Sequence, residues 1–223
     1  MLYRDRFDAG RALAAKLARY AGRPDVVVLA LPRGGVPVGY EVAQALNAPL
    51  DIFLVRKLGV PGHEELAMGA LASGGVRVLN TEVVRALRLP EEVIDGVARQ
   101  EGQELERRAR AYRGDRPGVN VRGKPVILVD DGLATGSTMR AAVAALRRQQ
   151  PARIVVAVPV GAAETCEELA AEADEVFCGR MPESFFAVGQ WYDDFTQTTD
   201  EEVRELLQQA AEGRTAAAGH SRP

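Results

Sequence analysis

Five short apolar runs set the strongest limit on how this chain can fold: Val26 to Leu31, Asp51 to Val55, Val126 to Val129, Arg153 to Val160 and Glu175 to Cys178. A strand with one face in water alternates apolar with polar residues, whereas a near-continuous apolar run must be covered on both faces. Helical patterns at Ala9 to Tyr20, Val36 to Ala45, Ser137 to Gln149, Ala162 to Ala171 and Glu201 to Ala211 separate the runs. That rhythm implies βαβ units, hence an α/β fold around a parallel sheet. With 223 residues, 47% of them hydrophobic, the chain can bury one sizeable core. Val76 to Leu79 alternates and reads as an edge strand or part of a lid hairpin. Pro90 to Tyr112 reads as a long charged helix, with Glu104/Arg108 and Glu106/Arg110 at i,i+4 spacing. Its polarity fits an exposed face, or one that meets a second copy of the chain in a homo-oligomer. Residues 213–223 lack large apolar side chains and are expected to form a disordered tail.

The run at Val126 continues as Asp130-Asp131-Gly132-Leu133-Ala134-Thr135-Gly136-Ser137-Thr138 and then a helix. A helix start offers unpaired N–H groups and the positive end of its dipole, so Thr135 to Thr138 can wrap a phosphate. The two carboxylates cannot favour that phosphate, but they are acceptors suited to the hydroxyls of a sugar beside it. Taken singly, an Asp after a strand is often a turn former and a small-residue turn is often a helix cap. A capping turn does not account for two adjacent acids. The turn lacks the Gly-Lys-Ser/Thr of a P-loop and the Gly-x-Gly-x-x-Gly of a dinucleotide fingerprint.

This segment resembles the 5-phosphoribosyl-1-pyrophosphate (PRPP) motif of the type I phosphoribosyltransferases. The resemblance implies a parallel-sheet domain with a C-terminal hood and a helical insertion, in which Asp130 and Asp131 bind the ribose 2′- and 3′-hydroxyls. It gives Ala134, Thr135, Gly136, Ser137 and Thr138 the 5′-phosphate. It further implies a Mg²⁺-dependent pentosyl transfer to a nitrogenous base with release of pyrophosphate, Mg²⁺ being held mainly by PRPP and water rather than by a protein cage. Two positions depart from the pattern. Gly132 stands where an aliphatic residue is usual, and Ala134 replaces the Asp that 6-oxopurine enzymes place before Thr-Gly, which counts against hypoxanthine or guanine.

Val26 to Leu31 leads into Pro32-Arg33-Gly34-Gly35-Val36-Pro37. Alone this reads as a strand-to-helix connection whose glycines supply unusual dihedrals. Beside the acidic segment it resembles the family's pyrophosphate loop, with Arg33, Gly34 and Gly35 on the leaving group and a cis peptide expected at Pro32–Arg33. Lys57, just after the run Asp51 to Val55 and next to Arg56, is either a solvated cation or a second pyrophosphate anchor. Gly59 to His63 resembles a lid that closes over the reacting centre. His63 reads as a loop residue rather than a catalyst.

Phe185 to Phe195 concentrates much of the sparse aromatic content. For Phe185, Tyr192 and Phe195 a small packed core accounts for it. The order Phe-x-Val-Gly-x-x-x-Asp resembles the hood of purine phosphoribosyltransferases, and carried over it makes Phe186 the ring that stacks on the base, Val188 a contact to it and Asp193 the group at its edge. The Lys and the Arg that 6-oxopurine enzymes place around the hood are absent, since this chain reads Pro159-Val160-Gly161-Ala162 and Thr196-Gln197-Thr198-Thr199 there.

The expected organisation is one phosphoribosyltransferase-like domain over residues 1–212, with a core at about 21–180, the hood at about 181–200 and the helical insertion at about 90–113. No run reaches the ~20 apolar residues of a membrane span. Net charge of −3 gives no reason to expect nucleic acid as a partner. The polar start and the two cysteines, Cys166 and Cys178, read as a cytoplasmic protein with reduced thiols. The alternative to an enzyme is a regulator that keeps the fold and senses PRPP or a nucleotide without turning it over.

Overall fold

A computed structural model describes residues 2–219. In chain order its elements are α1 (Arg6–Lys16), β1 (Val27–Ala30), α2 (Gly35–Leu46), β2 (Leu50–Ile52), β3 (Val55–Val60), β4 (His63–Ala72), β5 (Val76–Leu79) and α3 (Thr81–Ala86). There follow α4 (Glu91–Arg113), β6 (Pro125–Val129), α5 (Ser137–Arg148), β7 (Arg153–Val160), α6 (Ala163–Leu169), β8 (Glu175–Arg180) and α7 (Asp200–Gly219). The five apolar runs form one all-parallel sheet in the order β2-β1-β6-β7-β8.

The side chains of that sheet divide by parity, as the pleat requires. Val28, Ile127, Val129, Val155 and Ala157 face Leu13 and Leu17 of α1 and Val38, Val42 and Leu46 of α2. Val27, Leu29, Val126, Leu128, Ile154 and Val156 face Met139, Val143 and Leu146 of α5 and Leu169 of α6. Burial on both faces is why the runs do not alternate.

The segment between β2 and β6 builds a second layer. β3, β4 and β5 form a three-stranded antiparallel sheet, in which Val76 to Leu79 is an edge strand. Leu58, Val60, Met68 and Leu71 of this sheet pack on Ile94, Leu105 and Tyr112 of α4 and on Val203, Leu206 and Leu207 of α7. The long helix thus buries one apolar stripe and leaves the rest polar. On its outer face Glu104 receives hydrogen bonds from Arg107 and Arg108, which hold its carboxyl down at about 2.

Two expectations are corrected. Cys166 and Cys178 are joined by a disulfide rather than left as thiols. The β7-α6-β8 unit turns back within 12 residues and brings their Cα atoms to 6.5 Å, within reach of a bridge. The expected tail is helical from 213 to Gly219 as the end of α7, because Ala216-Ala217-Ala218 has high helix propensity. Its last four residues, 220–223, lie outside the described residues. Among the described residues no helix is long and apolar enough to cross a membrane.

Candidate active site

The sheet order reverses between β1 and β6. From β1 the chain steps outward to β2, and from β6 it steps the other way to β7 and β8. Loops leaving the carboxyl ends of such neighbours diverge and open a crevice. The structure brings Arg33, Gly34 and Gly35 to one side of this point and Asp130 to Thr138 to the other.

Neither Gly34, with φ of −59°, nor Gly35 uses a left-handed conformation, so the reading of these glycines as suppliers of unusual dihedrals is set aside. They supply close approach. A Cβ on Gly34 would lie 2.0 Å from Asp131 Oδ2, and one on Gly35 would lie 2.8 Å from the Val129 carbonyl and 2.9 Å from Asp130 Cα. The loop after β1 is thereby pressed onto the acid pair. Its Pro32–Arg33 peptide is cis.

Asp130 accepts the Asp131 backbone N–H at 2.8 Å. Burial raises the Asp130 carboxyl well above the usual value, and the adjacent Asp131 charge adds to the rise. Burial also raises Asp131, but the Arg6 guanidinium opposes it. Arg6, the first residue of α1, donates from Nε to Asp131 Oδ2 at 2.8 Å and from Nη1 to the Thr196 carbonyl at 2.8 Å. Sequence reasoning missed this residue. It lies 125 positions from its partner, and the one local signal was a cation at a helix N-terminus, where the dipole disfavours it.

The turn after the acids is built for open N–H groups. Gly136 has φ of +71°, and no side chain caps the first turn of α5. Ala134, Thr135, Ser137 and Thr138 are exposed. From behind, Thr165 donates its hydroxyl to the Ala134 carbonyl at 2.7 Å, its methyl fills the space a Cβ on Gly136 would take, and Arg140 donates to the Thr135 carbonyl at 2.8 Å. The outward side is thus left to the backbone donors of a helix N-terminus.

The cations are less gathered. Arg33 Nη1 lies 3.6 Å from Asp200, the first residue of α7, which also accepts the Tyr112 hydroxyl at 2.8 Å. Lys57 Nζ lies 3.5 Å from Glu65 across the β3–β4 hairpin, and Lys57 lines a cavity of about 460 Å³ with Ser137, Thr138 and Arg140. Arg56 is paired to Glu101 of α4 at 2.6 Å. Gly59 to His63 forms the end of the β3–β4 hairpin, with Gly62 at φ of +78° and His63 exposed.

The segment expected to form the hood follows β8. Tyr3, Ala9, Val160 and Tyr192 form a small core with Phe185, Val188 and Trp191. Val188 accounts for the glycine at 132, since a Cβ there would lie 2.4 Å from Val188 Cγ1. Tyr192 donates its hydroxyl to the Asp131 carbonyl, and burial pushes that hydroxyl far up. Asp193 donates its N–H to the Tyr3 carbonyl at 2.8 Å and leaves its carboxylate exposed. Phe186 is 83% exposed.

A resident metal would need more ligands than the acid pair provides. Among the described residues no group of three or more His, Cys, Asp or Glu is placed to hold one, and Asp131 is committed to Arg6. The donor set fits a Mg²⁺ that arrives on a polyphosphate and keeps its waters.

A family model described as phosphoribosyl transferase domain matches residues 2–195. In two strains of Mycobacterium tuberculosis, proteins provisionally named as phosphoribosyl transferases are 50% identical to this chain over 209 residues, which is 94% of this chain and 47% of theirs. The chain therefore spans about half the length of the curated relatives it matches. The crystal structure of TT1426 from Thermus thermophilus superposes with a TM-score of 0.83 at 44% identity, covering 94% of this chain and 99% of that one.

Proposed function

Because the chain belongs to the phosphoribosyl transferase domain family, we propose that it transfers the ribose 5-phosphate of PRPP to a nitrogenous base and releases pyrophosphate. The observation that carries this reading is the acid pair wedged between the Gly34-Gly35 loop and the open turn of Thr135 to Thr138. Asp130 and Asp131 accept the ribose hydroxyls, and the backbone of Ala134 to Thr138 binds the 5′-phosphate with the hydroxyls of Thr135, Ser137 and Thr138. Arg33, with the backbone of Gly34 and Gly35, stabilises the departing pyrophosphate, and Lys57 adds a cation from the lid sheet. Mg²⁺, bound through PRPP and water, supplies further neutralisation of the diphosphate.

In the reaction a ring nitrogen of the base donates its lone pair to C1 of the ribose. The C1–O bond to pyrophosphate breaks, its electron pair leaves with the pyrophosphate, and the ring nitrogen gives up its proton to water. The protein's contribution is orientation and charge stabilisation. Phe186 stacks on the base, Val188 sets its height above Gly132, and Asp193 meets its edge. Ala134 and the missing base-reading Lys argue against hypoxanthine and guanine.

A second reading, a PRPP or nucleotide sensor without turnover, is favoured by one observation, the ion pair that engages Arg33 with Asp200. Pyrophosphate release from PRPP and Mg²⁺ with a panel of purine and pyrimidine bases separates the two. Base-dependent release supports the transferase. PRPP binding with no release from any base supports the sensor.

A further inference from the structure

Arg6 touches both the acid pair and the segment expected to form the hood. Its guanidinium donates to Asp131 at 2.8 Å and to the Thr196 carbonyl at 2.8 Å, and its Cζ stands 3.9 Å from the centroid of the Phe195 ring. The residue is only 9% exposed. The segment before it pairs with the hood: Tyr3 N–H donates to the Trp191 carbonyl, Asp193 N–H to the Tyr3 carbonyl and Asp194 N–H to the Arg4 carbonyl. Asp131 in turn accepts the Tyr192 hydroxyl on its own carbonyl. Acid, guanidinium and hood therefore close a ring of contacts through one side chain.

A nearly buried cation at a helix N-terminus opposes the dipole, and a hydrophobic residue would fill the same space without that penalty. What a hydrophobic residue cannot do is hold a carboxylate as a directed acceptor next to a second carboxylate, while presenting a flat face to an aromatic ring. We propose that Arg6 is a positioning residue that couples occupancy of the acid pair to placement of the hood, so that a sugar phosphate on Asp130 and Asp131 orders the base end of the site. This inference rests on the assignment of PRPP to the acid pair.

The geometry separates two duties. Orienting Asp131 needs a positive charge with one N–H, which lysine also supplies. Bridging from Asp131 to Thr196 while lying on Phe195 needs the planar fork of arginine. The single tryptophan of the chain, Trp191, lies in the hood and reports on its placement.

The test is a titration of PRPP and Mg²⁺ into wild type, Arg6→Lys and Arg6→Met, read by calorimetry and by Trp191 emission. Wild type should bind with a saturable emission change. Arg6→Lys should keep affinity within about threefold and lose the emission change, whereas Arg6→Met should weaken binding about tenfold or more, the scale of a lost charge-assisted hydrogen bond. Three outcomes would overturn the coupling while leaving PRPP in place: binding by wild type with no emission change, full emission response in Arg6→Lys, or parallel loss of affinity and response in both variants as from a merely structural pin. Absence of calorimetric binding by folded wild type would instead overturn the PRPP assignment.

Discussion

Asp131 and Phe186, assigned to the two ends of the proposed site, are held in opposite ways. Asp131 fills the space of a missing Gly34 side chain, accepts from Arg6 and passes its carbonyl to Tyr192. Phe186 is 83% exposed, and among the described residues its ring stacks on no other aromatic. Around the acid pair Gly34, Gly35, Asp131 and Arg6 are fixed by one another, so a change there should disturb binding and packing together. At the base end the hood is pinned through Tyr192 and Val188 while its outward residues are not. On the proposed assignment, the contrast means a prearranged ribose and phosphate site with a base end that its ligand completes.

The largest expected effect lies at the interlocked end. Gly34→Ala adds a Cβ 2.0 Å from Asp131 Oδ2 and 3.2 Å from Arg6 Nε, so the carboxylate must leave its place. PRPP affinity should fall about 10- to 100-fold, the range for a displaced charge-assisted hydrogen bond, with the fold retained. Unchanged affinity in a titration would break the claim that this end is rigidly prearranged.

An intermediate effect concerns stability. Burial holds Asp130 above its ordinary carboxylate value, so its ionisation costs the folded state more than the unfolded one. Its contribution should make stability fall as pH rises from the usual carboxylate value, 3.8, through the raised one, and recover as the pH falls back. Asp130→Asn keeps the acceptor for the Asp131 N–H and removes the charge. The variant should melt higher than wild type at pH 7, with a flatter pH dependence in that window, while binding PRPP worse. A lower melting temperature at pH 7 would mean that the charge is compensated within the apo fold.

The smallest effect belongs to the open end. Phe186→Ala should leave melting and PRPP affinity unchanged, because the ring packs on little, and should weaken nucleotide binding by about 1 kcal/mol, roughly fivefold. A marked drop in stability would show that Phe186 is a packing residue and that the two ends are not so different.

The same contrast decides what was legible in the sequence. The β-branched runs announced a doubly covered parallel sheet because burial on both faces leaves no room for alternation. The acids and the small residues of 130–138 were legible because strand, carboxylates and helix start are contiguous. Gly34 and Gly35 were found, but their reason, contact with a segment about 95 residues further on, was not in the local pattern. Arg6 and the Asp200 partner of Arg33 join distant positions, and the Cys166–Cys178 bridge, 12 residues apart, depends on how α6 and β8 pack; nothing in their spacing announces them. Gly132 looked like a departure until Val188 was seen to occupy its missing side chain.

The central claim is that Asp130 and Asp131 hold the ribose of PRPP, and thermal unfolding with and without PRPP and Mg²⁺ tests it most directly. A ligand at 100 times its dissociation constant adds about 2.7 kcal/mol to folding, which for a chain of this size raises the melting temperature by roughly 5 to 10 °C. Wild type should show that rise, and the Asp130→Asn/Asp131→Asn variant should fold and show none. An equal rise in both proteins would contradict the account.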